Sequence, residues 1–314
     1  MTEWYEKPPV TPGREFLILV GLWVLGLVAG TLITMPVWMM MTGESPLSMA
    51  TSMTKPEYRP ALLVVQSLSS VFAFFLPAII TAAIVSKKSS THLGFYSLFN
   101  KKAIVLVLLT MTAAIFVSGA LGELNKAIPI GKSMKTYFDN MEKQYTDAIR
   151  AILVFRNPVD YIISLVVIAV LPAVVEEVLF RGSMQQILIR WFKYPLLGII
   201  ITSFIFSSIH FSWYGFIPRM ALGMVLGYVF FYTGNLWYSI LAHFFNNGLM
   251  VTILYVGFLQ NKKLDLDSAD SVPWWLGIPA FAVLIVLLVL LSRFEKQKQP
   301  GVKEQNLENL NEPL

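Results

Sequence analysis

Eight stretches of mostly apolar residues, near 15–41, 60–86, 103–121, 158–190, 194–212, 217–233, 235–259 and 273–293, set what this chain can fold into. Crossing a bilayer as a helix takes about 20 such residues. In hydrocarbon every backbone polar group must be satisfied within the segment, so a spanning apolar run is a helix. Composition agrees. The 314 residues are 56% hydrophobic and only 14% charged, against about 25% charged in a soluble domain. The expected fold is all-α, a polytopic integral membrane protein of about eight transmembrane helices. The chain divides into residues 1–157 (three helices plus an amphipathic loop helix), a core at 158–259, a last helix at 260–299 and a polar, disordered tail at 300–314.

The chain has no cysteine, which excludes disulfides, a thiolate nucleophile and Cys-based metal sites. The first apolar stretch is longer than a signal-peptide core and no small-residue cleavage site ends it, so it is read as a retained helix. The net charge of +5 is assigned to topology and anionic lipid, and no nucleic-acid partner is expected. Lys87, Lys88, Lys101, Lys102, Arg293, Lys296 and Lys298 favour cytoplasmic termini. Residues 122–157 carry an amphipathic period, with Phe138, Met141, Tyr145, Ile149 and Ile152 on one face. That helix lies on the bilayer or gates the mouth of a site.

The segment at 158–190 contains Glu176, Glu177 and Arg181. Ionisable groups at membrane depth are costly and usually functional. Glu177 and Arg181 are four apart and share a helix face, so they can pair. Glu176 is turned away by about 100°. Pro172, one turn earlier, predicts a kink or break that frees backbone groups. His210 shares a face with Phe206, and His243 with Asn247, while Asn246 points elsewhere. Each pair alone is as well explained by interhelical hydrogen bonding. Together they supply a carboxylate, two imidazoles and a carboxamide. Glu176 and His210 could activate water, and His243 and Asn247 could hold an oxyanion. The same Glu and two His could instead bind zinc from separate helices. A non-enzymatic immunity or scaffold role, and an ion pathway, are the readings from other classes. No Gly-x-Ser-x-Gly is present, and Asp160 reads as a helix cap. Gly223 and Gly227 permit close helix packing.

At these positions the sequence resembles a known family. Glu-Glu-x-x-x-Arg at 176–181, Phe-x-x-x-His at 206–210 and His-x-x-x-Asn at 243–247 stand in the order of the CAAX protease and bacteriocin-processing family, also called CPBP or Abi. The text from Leu222 to Gly227 and from Thr233 to Trp237 is similar too. The likeness covers roughly residues 158–259. It implies an eight-helix intramembrane glutamic endopeptidase without a metal cofactor, its catalytic core in the fourth to seventh apolar segments. Glu176 and His210 would activate water, and His243 and Asn247 would form the oxyanion hole. Glu177, Arg181 and Phe206 would support them. The implied partners are the lipid bilayer and a peptide or protein substrate, CaaX-like or bacteriocin-type, in a bacterial plasma membrane. The sequence sets neither the oligomeric state nor the side of substrate entry.

Straight full-length spans leave a conflict. The fifth and seventh segments run the same way, with His210 near the end of one and His243 near the start of the other. This predicts shifted boundaries near Pro195 or Pro218, or tilted or staggered helices.

Overall fold

The computed structural model describes residues 10–97, 100–262 and 272–298. The tail expected at 300–314 lies outside the described residues. Nine helices of 14 residues or more are present among those described: α1 (Pro12–Thr42), α2 (Pro56–Val85), α3 (Lys101–Lys126), α4 (Lys132–Ile152), α5 (Pro158–Phe192), α6 (Pro195–Ser208), α7 (Phe216–Thr233), α8 (Leu236–Leu259) and α9 (Trp274–Lys298). Seven are long and apolar enough to cross a membrane. α1 and α9 leave large apolar side chains such as Leu25, Leu32, Phe281 and Val286 exposed. A row of that kind fits lipid and not water. The fold is that of a polytopic all-α membrane protein.

The exception to the expected eight spans is α6. Its 14 residues rise about 21 Å, short of the roughly 30 Å hydrocarbon core. The helix stops at Ser208, and Phe211 takes a left-handed backbone with φ 49°. From α3, Asn125 Nδ2 donates to the carbonyls of Trp213 (2.7 Å) and Tyr214 (3.0 Å), holding the following loop. His210 thus sits in the turn beyond a part-length helix and not at the end of a full span, and both it and His243 contact the Phe206 ring. The altered boundary is the C-terminal end of α6. Pro195 starts α6, and Pro218 falls in the first turn of α7, as proline is suited to do.

Several ends meet at one end of the bundle. Glu15 of α1 contacts His92 and Arg190, Leu236 N–H donates to Gly94 O, and Asn100 N–H donates to the Tyr238 hydroxyl. A cleft lined by Lys101, Lys102 and Arg293 joins α3 to the end of α9 there. One apolar cluster joins α1, α2, α5, α6, α7 and α8 through Leu19, Ala78, Val178, Phe206, Phe230 and Ile240. A second joins α3, α7, α8 and α9 through Met111, Val229, Ala242 and Leu284. α7 and α8 serve both, so the site helices lie between the two clusters.

At the opposite end the α5 entry differs from its sequence reading. Asn157, not Asp160, caps α5 by accepting from the N–H groups of Val159 and Asp160. Asp160 is instead a buried hub. It pairs with Arg59 (2.8 Å) and Arg156 (2.9 Å) and accepts from the Arg156 N–H. A carboxylate that accepts two guanidinium partners ties α2 to α5 more firmly than a cap would.

Candidate active site

α5 does not break at Pro172. It is continuous, but π-helical turns at Leu165–Val170 and Phe180–Gln185 bracket the α-helical stretch Leu171–Leu179 that carries both glutamates. Such turns rotate the side chains that follow and recur at functional sites. Pro172 has no N–H to give the Ile168 carbonyl one turn back. Asn247 Nδ2 of α8 reaches that oxygen at 3.3 Å. The freed backbone group thus finds a partner in a candidate site residue.

Glu177 and Arg181 pair as their spacing requires, Oε1 to Nη1 at 2.6 Å, both with fully buried side chains. Arg181 Nη2 also donates to Gly223 O (3.1 Å), and Gln185 Nε2, one turn on, donates to Gly227 O (3.0 Å). The ladder needs close backbones. A Cβ on Gly227 would lie 2.7 Å from Gln185 Oε1 and 2.9 Å from Ile199 Cγ2. The glycines serve packing as expected. Gln185 went unnoticed in the sequence, though its spacing of four from Arg181 could have found it.

Glu177 Oε1 accepts a second hydrogen bond, from His243 Nδ1 at 2.9 Å. A carboxylate only accepts, so Nδ1 carries the proton. His243 Nε2 then faces Glu176, 3.9 Å from its Oε2. Glu176, with a side chain 14% exposed against none for Glu177, is the carboxylate left for chemistry. His210 is oriented in the same manner. Its Nδ1 lies 2.8 Å from the Phe206 carbonyl, which can only accept, so Nε2 of the neutral ring is an acceptor. The Phe206 ring sits between the groups, edge-on to His210 (5.0 Å) and to His243 (6.1 Å) and under the Arg181 guanidinium (4.8 Å). One aromatic thereby touches both imidazoles and the Arg181 guanidinium.

Asn246 departs from the sequence reading. Its Nδ2 donates to Asn247 Oδ1 at 3.0 Å. With Oδ1 held by Asn246 and one Nδ2 proton directed to Ile168, the Asn247 carboxamide keeps one N–H for another acceptor. Among the described residues, no group of three or more His, Cys, Asp or Glu is placed to hold a metal ion.

The amphipathic helix α4 lies beside this site. Glu142 accepts from Ser212 (2.7 Å) and Asp139 from the Tyr214 hydroxyl (2.5 Å), and Phe138 stacks on Trp213 at 4.7 Å. The Tyr214 hydrogen bond, with Lys135 at 2.9 Å, holds the Asp139 carboxyl below its usual range. The α4 side chains Phe138, Asp139 and Glu142 thus all meet the loop that follows His210.

The comparisons with known proteins meet this geometry. Residues 158–249, from the start of α5 into α8, match the family model described as type II CAAX prenyl endopeptidase Rce1-like. That range contains Glu176, Glu177, Arg181, Phe206, His210, His243 and Asn247. Among curated proteins the chain is similar to the uncharacterized protein YpbD of Bacillus subtilis (strain 168), 33% identical over 105 residues, which are 32% of this chain and 51% of that protein. The chain thus spans about half the length of the curated relative it matches. No solved structure matches. In its α5–α8 core, residues 158–249, this integral membrane protein is similar to the Rce1-like CAAX prenyl endopeptidases.

Proposed function

We propose that this protein is an intramembrane endopeptidase in which Glu176 and His210 activate a water molecule and His243 and Asn247 stabilise the oxyanion. The observation that carries the reading is the Glu177–His243 hydrogen bond beside a second, unshared carboxylate. Glu176 takes a proton from water, whose oxygen adds to the scissile carbonyl while His210 Nε2 accepts the other water hydrogen. Negative charge forms on the carbonyl oxygen. With its Nδ1 proton committed to Glu177, His243 donates from Nε2 only as the imidazolium, which would stand between Glu177 at 2.9 Å and Glu176 at 3.9 Å. The remaining N–H of Asn247 is the second donor. Return of the proton from Glu176 to the amide nitrogen breaks the C–N bond and yields an acid and an amine. The chain's own side chains relay every proton in this scheme, and zinc on Glu176, His210 and His243 is the alternative it competes with.

The family description directs the substrate reading to a C-terminal CAAX-type peptide of a prenylated protein. For topology we place the Lys101, Lys102, Arg190 and Arg293 end of the bundle in the cytoplasm of a bacterial plasma membrane, by the excess of basic residues there. The test is cleavage of a fluorogenic farnesylated CAAX-type peptide by the purified protein in liposomes. Wild type cleaves it and Glu176→Gln, with its fold intact, does not. Full activity in Glu176→Gln ends the proposed role of Glu176.

A further inference from the structure

Arginines that enter the interior of the bundle are paired. Buried Arg59 has Asp160, buried Arg181 has Glu177 and partly exposed Arg190 has Glu15. Arg219, in the first turn of α7, breaks the pattern. Its Nη1 is buried and has no hydrogen-bond partner among the described residues. The guanidinium lies over the Tyr145 ring of α4 at 5.1 Å and against Gly215. A Cβ on Gly215 would be 2.5 Å from Arg219 Cζ. Gly215 has φ −89°, which any residue adopts, so the glycine makes room for the cation and does not serve the turn. The nearby α4 carboxylates are already engaged, Glu142 with Ser212 and Asp139 with Tyr214 and Lys135. The charge of Arg219 reaches both Glu176 and His210, and Gly215 beneath it lies five residues after His210. A buried N–H group of a partly buried guanidinium is costly to leave without an acceptor, and a guanidinium matches a carboxylate in shape and charge.

We infer that Arg219, seated between Tyr145 and Gly215, is the anchor for a carboxylate on the part of the substrate next to the scissile bond. The inference rests on the peptidase reading above and adds a specificity residue to it. The carboxylate comes from the C-terminus of the peptide or from an acidic side chain near it.

Three fluorogenic farnesylated CAAX-type peptides in liposomes with the full chain test this. One has a free C-terminal acid, one is its C-terminal amide, and one is the amide with an Asp in the released segment. Wild type prefers the acid over the plain amide by about 10- to 100-fold in kcat/KM, the range of a hydrogen bond to a charged group. Arg219→Gln erases that preference by slowing the acid far more than the amide, and Arg219→Lys restores part of it. Recovery with the Asp peptide assigns the carboxylate to a side chain, and no recovery assigns it to the terminus. Equal cleavage of acid and plain amide together with a slow Asp peptide, or an Arg219→Gln variant that slows all three by one factor, overturns the inference. Binding to Glu176→Gln protein, read by anisotropy, separates this from the peptidase reading. An acid-over-amide preference in binding that Arg219→Gln abolishes upholds the anchor even without cleavage. Binding without preference, or none, refutes it.

Discussion

Glu177→Gln separates two jobs that one oxygen performs. Glu177 Oε1 takes hydrogen bonds from Arg181 Nη1 at 2.6 Å and from His243 Nδ1 at 2.9 Å. The substituted side chain keeps the shape and an acceptor oxygen but loses the charge. Arg181, fully buried, is then an uncompensated cation, and breaking a buried pair from one side costs about 3–5 kcal/mol. Adding Arg181→Met removes that cation. Replacing a whole buried pair by apolar volume is often neutral, so the double variant recovers most of the loss. Activity follows different arithmetic. His243 exchanges a charge-assisted hydrogen bond for a neutral one, a difference of about 1–1.5 kcal/mol, and its ring is held in the donor position less firmly by that amount. At about 1.36 kcal/mol per decade the double variant turns over roughly 5- to 12-fold more slowly than wild type. Thermal unfolding in detergent, followed by tryptophan fluorescence, gives stability, and liposome cleavage gives kcat. A stable double variant with wild-type kcat would show that Glu177 serves only as the counterion of Arg181. A double variant no more stable than Glu177→Gln would refute the stability argument.

Gly227→Ala forces a Cβ to 2.7 Å from Gln185 Oε1 and lowers stability by about 1–3 kcal/mol, read by the same unfolding assay. Asn246→Ala frees Asn247 to rotate and costs about 1 kcal/mol of transition-state positioning, roughly fivefold in kcat with little change in KM. Asn247→Ala costs more than Asn246→Ala, and the reverse order contradicts the role given to each. Purified protein contains less than stoichiometric zinc by elemental analysis and keeps its activity after chelation, whereas zinc whose removal abolishes cleavage establishes the metal alternative.

What the sequence made legible was whatever a single helix carries. The Glu177–Arg181 pair, the turning away of Glu176, the packing role of Gly223 and Gly227 and the amphipathic α4 all follow from helical spacing. What it hid depends on partners distant in the chain. Apolar residues continue through Ile209, Phe211 and Trp213, so nothing local announced that α6 ends at Ser208. Asn125, from α3, holds the loop beyond it. Asp160 has the residue type and place of a cap, and only the arrival of Arg59 from α2 makes it an ion-pair hub. Asn246 lies on another helical face from His243, yet its short side chain reaches its neighbour Asn247, a contact that facial sorting excludes. The π-helical turns around the glutamates have no signature beyond Pro172. For the first three helices the family resemblance was silent, and the family match is confined to residues 158–249.

The central claim is that Glu176 and His210 act together on one water molecule. Its most direct measurement is kcat for Glu176→Gln, for His210→Ala and for the double variant, in folded protein reconstituted with the farnesylated peptide. Residues that work as a unit are strongly non-additive. The account predicts that each single variant loses most of the activity and that the double variant is no slower than the slower single. Losses that multiply would mean two independent groups and would contradict the shared activation of water.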